Sequence, residues 1–247
     1  MPQAGFYQAK RKQHRNRWVD LGSSLSEIAD GFLPSEFGSL YSQIKPYSMM
    51  SYGRLRGIYR AVCDVIDRDI EGSFVECGTA RGGCAGLMGL TSRKKEQRRD
   101  IWVYDTFEGL PAPSKGDPDY ELAKLREGEC RGEYNEVLGL INQLEIQENT
   151  HLVKGLFQET LPQAEVVKIA VLHVDGDWYE STKTCLNHLY DKVTPGGIIQ
   201  IDDYGHWAGA RKALHEFFES REIRPDLKYL DYTGRQFTKP HPQGGAN

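Results

Sequence analysis

The sequence predicts an α/β protein with a doubly wound, mainly parallel sheet, a helical N-terminal extension and a lid loop. Short apolar runs alternate with segments of helical periodicity along most of the 247 residues. That alternation is typical of βαβ units, in which helices cover both faces of a parallel sheet. Several apolar runs end in acidic residues, and ligands of such sheets bind beyond the carboxyl ends of the strands. The pattern therefore also predicts where a site should lie.

The elements follow an N-terminal extension, residues 1–45, that we expect to be irregular or helical. Residues 51–70 are periodic at helical spacing, with their apolar positions on one face. The later predictions are a strand and glycine-rich turn at 72–83, helices at 84–96, 136–146, 181–193 and 210–220, strands at 101–107, 151–157, 167–175 and 197–204, and a final hairpin. Residues 46–247 then form one domain. The polar segment 111–134 is rich in Pro and Gly, which favours a mobile loop that could act as a lid.

Composition and charge exclude several classes of protein. The net charge of −4 argues against a nucleic-acid binder that works through a general positive field. No apolar stretch approaches the roughly 20 residues of a membrane helix, and the N-terminus lacks a secretory apolar core, so we expect a cytoplasmic protein without a membrane partner. The five cysteines are an odd number without CxxC spacing, which indicates free thiols. The basic run 10–17 is either a solvated arm or a contact to an acidic substrate or a partner subunit, as in a homo-oligomer.

Four aspartates follow two of the predicted strands. Asp175 and Asp177 end the run IAVLHVDGD, and Asp202 and Asp203 end GGIIQIDD. Neighbouring parallel strands would bring the four carboxylates together, where they would repel one another without a positive group among them. A hard divalent cation suits such an oxygen-rich site.

A glycine-rich turn after the first strand predicts a cofactor site. The turn reads ECGTARGG from Glu76, and its GxxxGG spacing departs from the dinucleotide fingerprint GxGxxG. Glycines allow the backbone to approach a ligand closely. Asp105 ends the second strand, where an acid can accept hydrogen bonds from ribose hydroxyls. The alternative is a plain strand-to-helix turn with a capping acid.

Five segments together resemble the macrocin O-methyltransferase family. They are ECGTARGG, VYDTFEGLP, KGLFQETLP, LHVDGDWYES and PGGIIQIDDYG, in the order and spacing of that family, within residues 45–220. The family consists of metal-dependent, S-adenosylmethionine-using enzymes, several of which act on sugars of natural products. The resemblance implies a Rossmann-like class I methyltransferase fold, with Mg²⁺ or another hard divalent cation and a small hydroxylated acceptor: a sugar, a glycoside or a phenol.

The resemblance also implies roles for single residues. The cofactor would contact Met49, Glu76, Gly78, Thr79, Gly82, Gly83, Asp105, Phe107, Phe157, Gln158 and Asp175. Asp105 would hold the ribose hydroxyls, and Phe157 and Gln158 would lie by the adenine. Asp175, Asp202 and Asp203 would ligate the metal, and Asp177 would be the general base.

Some alternatives stay open at this point. Asp177 could bind the metal instead of acting as base, and His206 could assist proton transfer or be an exposed loop residue. Asp202 and Asp203 could cap the helix at 210–220. At the level of function, the alternatives are a catechol-type phenol O-methyltransferase and a non-catalytic module that binds the cofactor.

Overall fold

One mixed sheet of seven strands is the centre of the protein in a computed structural model that describes residues 35–241. The strands are β1 Ser73–Cys77, β2 Ile101–Asp105, β3 Thr150–Lys154, β4 Ile169–Val174, β5 Val193–Ile201, β6 Lys228–Tyr229 and β7 Arg235–Thr238. Their order is β3-β2-β1-β4-β5-β7-β6. The first five strands pair in parallel, and β7 pairs antiparallel with both β5 and β6. The predicted doubly wound sheet and final hairpin are confirmed.

Within residues 35–241, two α-helices precede β1, and the other α-helices lie between the strands. In chain order the α-helices of the described residues are α1 Glu36–Ile44, α2 Tyr52–Asp67, α3 Gly83–Lys94, α4 Tyr120–Ala123, α5 Tyr134–Gln143, α6 Phe157–Thr160, α7 Tyr179–Leu189 and α8 Ala208–Ser220. The predicted strand 151–157 was too long. The chain leaves the sheet at Gly155, whose φ of +148° is open to glycine but rarely to other residues, and Phe157 begins α6.

Alternate residues of the central strands face two separate apolar cores. In β4, Val171 packs with α1, α2, α3 and α5 on one face, and Leu172 packs with α7 and α8 on the other. Phe74 and Val75 of β1 divide in the same way. This two-residue alternation, with both faces covered, explains why apolar residues predominate at successive positions of these strands. The α1 helix belongs to the predicted extension, and its Leu40 is buried in the first core.

The helix α2 begins at a serine cap and buries one face. The Ser51 side chain accepts a hydrogen bond from the Arg54 backbone N–H, which satisfies one free donor of the first turn. The buried positions include Leu55, Ile58, Val62 and Val65, as the helical periodicity predicted. Arg54 lies in the first turn of this helix, so the serine cap also fixes the position of the Arg54 backbone.

Arg54 connects α2 to two distant parts of the sheet. Its Nη1 pairs with Asp202 immediately after β5, and its Nε lies 3.0 Å from Asp231 Oδ2 in the hairpin loop. The Asp202 side chain is 2% exposed and that of Arg54 is 16% exposed. An ion pair at this depth is costly to break, because removal of one partner leaves the other charge buried and unpaired.

Three features of the chain bear on the remaining predictions from the sequence. None of the helices within residues 35–241 is long and apolar enough to cross a membrane. All five cysteines are free thiols, as predicted. The basic run 10–17 lies outside the described residues.

We expect Arg54→Met to lower the free energy of unfolding by about 3 kcal/mol or more, since Asp202 and Asp231 lose their buried counter-ion. Urea unfolding followed by circular dichroism measures the change. Arg221→Met is the matched control, because Arg221 pairs with Asp191 at the surface, where side chains are 38% and 63% exposed. That control should lose less than about 1 kcal/mol. Equal losses in the two variants would contradict the buried role of Arg54.

Candidate active site

A cavity of about 260 Å³ lies beyond the carboxyl ends of β1, β2, β4 and β5. Most of the residues predicted from the sequence line it: Met49, Glu76, Gly78, Thr79, Asp105, Phe157, Gln158, Asp175, Asp177, Asp202 and Asp203. The structure therefore brings the predicted cofactor residues and the four aspartates to one space. Three predicted cofactor residues, Gly82, Gly83 and Phe107, lie outside this lining.

Those three residues serve packing in the structure. A Cβ at Gly83 would lie 2.7 Å from the Tyr47 carbonyl oxygen, so only glycine permits this approach of the preceding segment. Gly82 has a φ of +86° and begins α3, where its surface faces α5. Phe107 is 2% exposed and packs edge-on against Tyr134 with ring centroids 5.1 Å apart. Their predicted contact with the cofactor stays a prediction.

Glu76 organises the glycine-rich turn from the end of β1. Its Oε2 accepts hydrogen bonds from the Thr79 hydroxyl, at 2.6 Å, and from the Ala85 backbone N–H in α3, at 3.1 Å. Its Oε1 lies 3.2 Å from His173 Nδ1. Gly78 has a φ of +87°, and a Cβ there would lie 1.9 Å from the Asp175 carbonyl oxygen. The turn is thus held tightly against the tip of β4.

Asp105 supports the same turn from β2. Its Oδ2 accepts the Thr79 backbone N–H at 2.6 Å, and its Oδ1 accepts the Phe107 N–H at 2.7 Å. Burial raises the pKa of Asp105, and these backbone hydrogen bonds oppose the increase. The carboxylate is therefore oriented at the cavity wall by the backbone itself.

Three of the four aspartates form a close cluster of oxygen ligands. Asp175, Asp177 and Asp203 each offer a carboxylate oxygen within 4.8 Å of the other two. Asp177 adopts the left-handed region with a φ of +52°, which Asp tolerates better than most residues. Its backbone N–H donates to Asp203 Oδ2 at 3.0 Å. This turn brings the Asp177 side chain back toward the tip of β5.

The fourth aspartate, Asp202, faces two cations of the protein. Besides Arg54, its Oδ1 lies 3.4 Å from His173 Nε2. Burial opposes the charged form of His173, but hydrogen bonds to Asp202 and Glu76 raise its pKa to about 9. Burial would raise the pKa of Asp202, yet Arg54 and His173 hold it below its usual value. His173 is fully buried in β4 and bridges the carboxylates of Glu76 and Asp202.

The other three carboxylates are crowded without such compensation. Burial and the neighbouring Asp202 raise the pKa of Asp203 to about 6. Burial and Asp202 also raise the pKa of Asp175 well above its usual range, and burial and Asp203 do the same for Asp177. Clustered oxygen donors whose ionisation is opposed by mutual repulsion fit a hard divalent cation, which would relieve that repulsion.

The lid segment is anchored by acids that the sequence analysis did not single out. Asp117 Oδ2 accepts the Tyr179 backbone N–H at 2.7 Å at the start of α7. Asp119 Oδ2 accepts the N–H groups of Ala208 and Gly209 at the start of α8. Asp119 therefore caps α8. The alternative from the sequence had Asp202 and Asp203 as the caps of this helix. The signal in the sequence was the pair of acids in DPD, a residue type typical of helix caps.

The sequence analysis also missed Arg54 and Trp207. Arg54 has no local signal, because its partners are distant in the chain. Trp207 donates its indole N–H to Asp177 Oδ1 at 2.8 Å. His206, the alternative base, is exposed and lies outside the cavity lining. Its ring packs edge-on against Trp207 at a centroid distance of 4.8 Å.

Comparisons with known proteins show which family this chain resembles. Residues 42–239 match the family model described as Macrocin-O-methyltransferase (TylF). Demethyldecarbamoylnovobiocin O-methyltransferase of Streptomyces niveus is 33% identical over 193 residues, which are 76% of this chain and 74% of that protein. The 8-demethyl-8-(2,3-dimethoxy-alpha-L-rhamnosyl)-tetracenomycin-C 4'-O-methyltransferase of Streptomyces olivaceus is 31% identical over 198 residues, 76% of this chain and 74% of that protein.

A solved structure agrees as well. The O-methyltransferase NovP superposes with a TM-score of 0.75 at 32% identity, covering 79% of this chain and 83% of that one. The family match spans well over half of the chain and includes every predicted site residue. The chain therefore belongs to the macrocin O-methyltransferase family and is an S-adenosylmethionine-dependent O-methyltransferase.

Proposed function

We propose that this enzyme methylates a hydroxyl of a sugar or of a glycosylated natural product, with Asp177 as the general base. One observation carries the proposal: Asp177 lines the same cavity as the predicted cofactor residues and lies beside Asp175 and Asp203. The relatives support the acceptor class, since one is a rhamnosyl-tetracenomycin-C 4'-O-methyltransferase. A donor and an acceptor hydroxyl would meet at this edge of the sheet.

The chain's own residues bind and orient the methyl donor. Glu76 and the Gly78 turn would bind the methionine end, and Asp105 would hold the ribose hydroxyls. Phe157 and Gln158, in the first turn of α6, line the cavity where the adenine would lie. Fixed orientation of oxygen, methyl carbon and sulfur lowers the barrier, because little rotational freedom is left to lose.

The reaction needs a proton acceptor beside the nucleophile. The acceptor oxygen forms a bond to the methyl carbon as the carbon–sulfur bond breaks, and the bonding pair returns to sulfur, so S-adenosylhomocysteine leaves. The hydroxyl proton passes to the Asp177 carboxylate. Asp177 suits this role by its position, because its carboxylate lines the cavity beside Asp175 and Asp203.

We also propose a hard divalent cation at the aspartate cluster. Asp175 and Asp203 would hold it, and Asp202, the third ligand implied by the family resemblance, would share its carboxylate with Arg54 and His173. When bound, such a cation lowers the pKa of a coordinated hydroxyl and fixes its position. Asp177 as a further ligand is the competing assignment, because its oxygen lies in the same cluster.

The acceptor would enter from the lid side. Leu110, Pro111 and Cys130 line the cavity together with Asp177. Two vicinal oxygens of a sugar or of a catechol could both reach the aspartate cluster, so the phenol O-methyltransferase is the second candidate. Leu110 and Pro111 belong to the family segment VYDTFEGLP, whereas Cys130 and the rest of segment 111–134 lie outside the five family segments, which is where a difference in acceptor is expected.

We expect Asp177→Asn to lower kcat by about 100-fold or more, because the isosteric amide cannot accept the proton. The concentration of Mg²⁺ for half-maximal activity should stay unchanged, as should the Kd for S-adenosylhomocysteine from calorimetry. Asp64→Asn, a surface change in α2, is the control and should match the wild type. Turnover near wild type would disprove the base, and a large increase in the Mg²⁺ requirement would assign Asp177 as a ligand instead.

Excess EDTA should abolish turnover, and Mg²⁺ should restore it, if a cation holds the hydroxyl. Asp203→Asn should raise the Mg²⁺ concentration for half-maximal activity about tenfold or more, since it removes one charged ligand. The Mg²⁺ concentration for half-maximal activity of Asp202→Asn, measured in parallel, shows whether the Asp202 carboxylate ligates the cation or mainly pairs with Arg54. Full activity in EDTA would contradict the metal proposal while leaving the methyltransferase assignment in place.

Methyl α-L-rhamnopyranoside and catechol distinguish the two acceptor classes. We expect methylation of the glycoside, measured by mass spectrometry, at a kcat/KM at least about tenfold above that of catechol. The same glycoside without one vicinal hydroxyl is the control for chelation. Preference for catechol would overturn the sugar proposal and favour the second candidate.

A further inference from the structure

Two buried tryptophans face each other between the lid and the candidate base. Trp178 precedes α7 and is 2% exposed, and Trp207 precedes α8 and is 9% exposed. Their ring centroids are 5.0 Å apart at an interplanar angle of 72°. Leu110, Ala123 and Ala210 pack around the pair. The two indoles therefore share one small apolar cluster to which the lid contributes.

The two indole N–H groups have different partners. Trp178 Nε1 donates to the Pro111 carbonyl oxygen in the lid at 2.7 Å. Trp207 Nε1 donates to Asp177 Oδ1 at 2.8 Å. An indole N–H is a donor only, and it carries no charge that would titrate in the working range. It can therefore orient a carboxylate without competing for the proton that the carboxylate takes.

Asp177 requires such orientation. Its backbone is held by the left-handed φ of +52° and by the N–H bond to Asp203. Neither contact restricts rotation of the side chain, whereas the hydrogen bond from Trp207 engages one oxygen of the carboxylate. Oδ2 is then the oxygen left to face the acceptor.

The start of α8, which directly follows Trp207, is tied to the lid. The N–H groups of Ala208 and Gly209 donate to Asp119 in the lid, whereas the N–H of Trp207 itself donates to the Asp203 carbonyl oxygen at 3.0 Å. A Cβ on Gly209 would lie 2.6 Å from Asp117 Oδ2, so the lid acids approach the start of α8 closely. The backbone around Trp207 is thus held by Asp203 on one side and by the lid on the other.

We propose that Trp207 is a positioning residue for methyl transfer: its indole N–H holds Asp177 Oδ1 so that Oδ2 receives the acceptor proton, and Asp203 and the lid together hold Trp207 in place. This inference rests on the proposed function, because it takes Asp177 to be the base. It adds a residue that links the lid to the reacting atoms.

The test is Trp207→Phe compared with Trp178→Phe. Both substitutions keep an aromatic ring in the cluster and remove one N–H, so their packing losses are similar. With S-adenosylmethionine and methyl α-L-rhamnopyranoside, Trp207→Phe should lower kcat about 10- to 100-fold, the usual result of a misplaced catalytic group. Its KM for S-adenosylmethionine should stay within about twofold of the wild type. Trp178→Phe should mainly raise the KM for the glycoside, because it releases the lid carbonyl.

A structural measurement gives a readout that needs no turnover. In crystals with S-adenosylhomocysteine, the Asp177 carboxylate should rotate or adopt two conformers in Trp207→Phe and keep its place in Trp178→Phe. An unchanged Asp177 in Trp207→Phe would overturn the proposal. So would a kcat equal to that of the wild type, or equal losses of kcat in both variants, which would indicate general packing damage.

The Asp177→Asn background separates the positioning role of Trp207 from the proposed role of Asp177 as the base. If Trp207 acts through Asp177, adding Trp207→Phe to Asp177→Asn should lower the residual kcat less than about twofold. A full additional loss would overturn the positioning role and leave the base intact. Near wild-type activity of Asp177→Asn alone would instead refute the proposed base, whatever Trp207 does.

Discussion

The site depends on the way Arg54 and His173 compensate buried carboxylates. Arg54 pairs with Asp202 and Asp231, and His173 lies between Asp202 and Glu76. These contacts join the end of β1, the end of β5, the helix α2 and the hairpin loop. Without the two cations, the buried acids at the sheet edge would repel one another. The glycine-rich turn and the aspartate cluster are thus linked by one network of ion pairs.

The two ends of this network differ in how completely the charge of their carboxylates is neutralised. Asp202 is held ionised by its neighbours, while Asp175, Asp177 and Asp203 have raised pKa values. The uncompensated end is the one that faces the lid. It suits a bound cation and a base, since both functions use carboxylates whose charge the protein itself has left unpaired. Segment 111–134 is tied to α7 and α8 by Asp117 and Asp119, and its Pro111 and Cys130 line the cavity.

Much of this arrangement could be predicted from local patterns. The apolar runs and helical periodicities predicted the parallel strands and most helices, because burial on both faces of a sheet and on one face of a helix leaves a periodic record. The acids after β2, β4 and β5 predicted the site, since strand ends meet at one edge. The end of β3 was misjudged because Leu156 and Phe157 continue the apolar run after Gly155. Local hydrophobicity does not show that a glycine has turned the chain.

The sequence by itself determined the fold class, the edge of the sheet where chemistry occurs and the residues that crowd it. Only the tertiary structure decided which charges meet. Arg54 and Asp202 are separated by 148 positions, and Trp207 reaches Asp177 from the start of a different helix. Such pairs leave no periodicity or motif, because their contact depends on how whole elements pack. That is why the sequence predicted only a metal ion as the positive group among the four aspartates. The fold also brings Arg54 to Asp202.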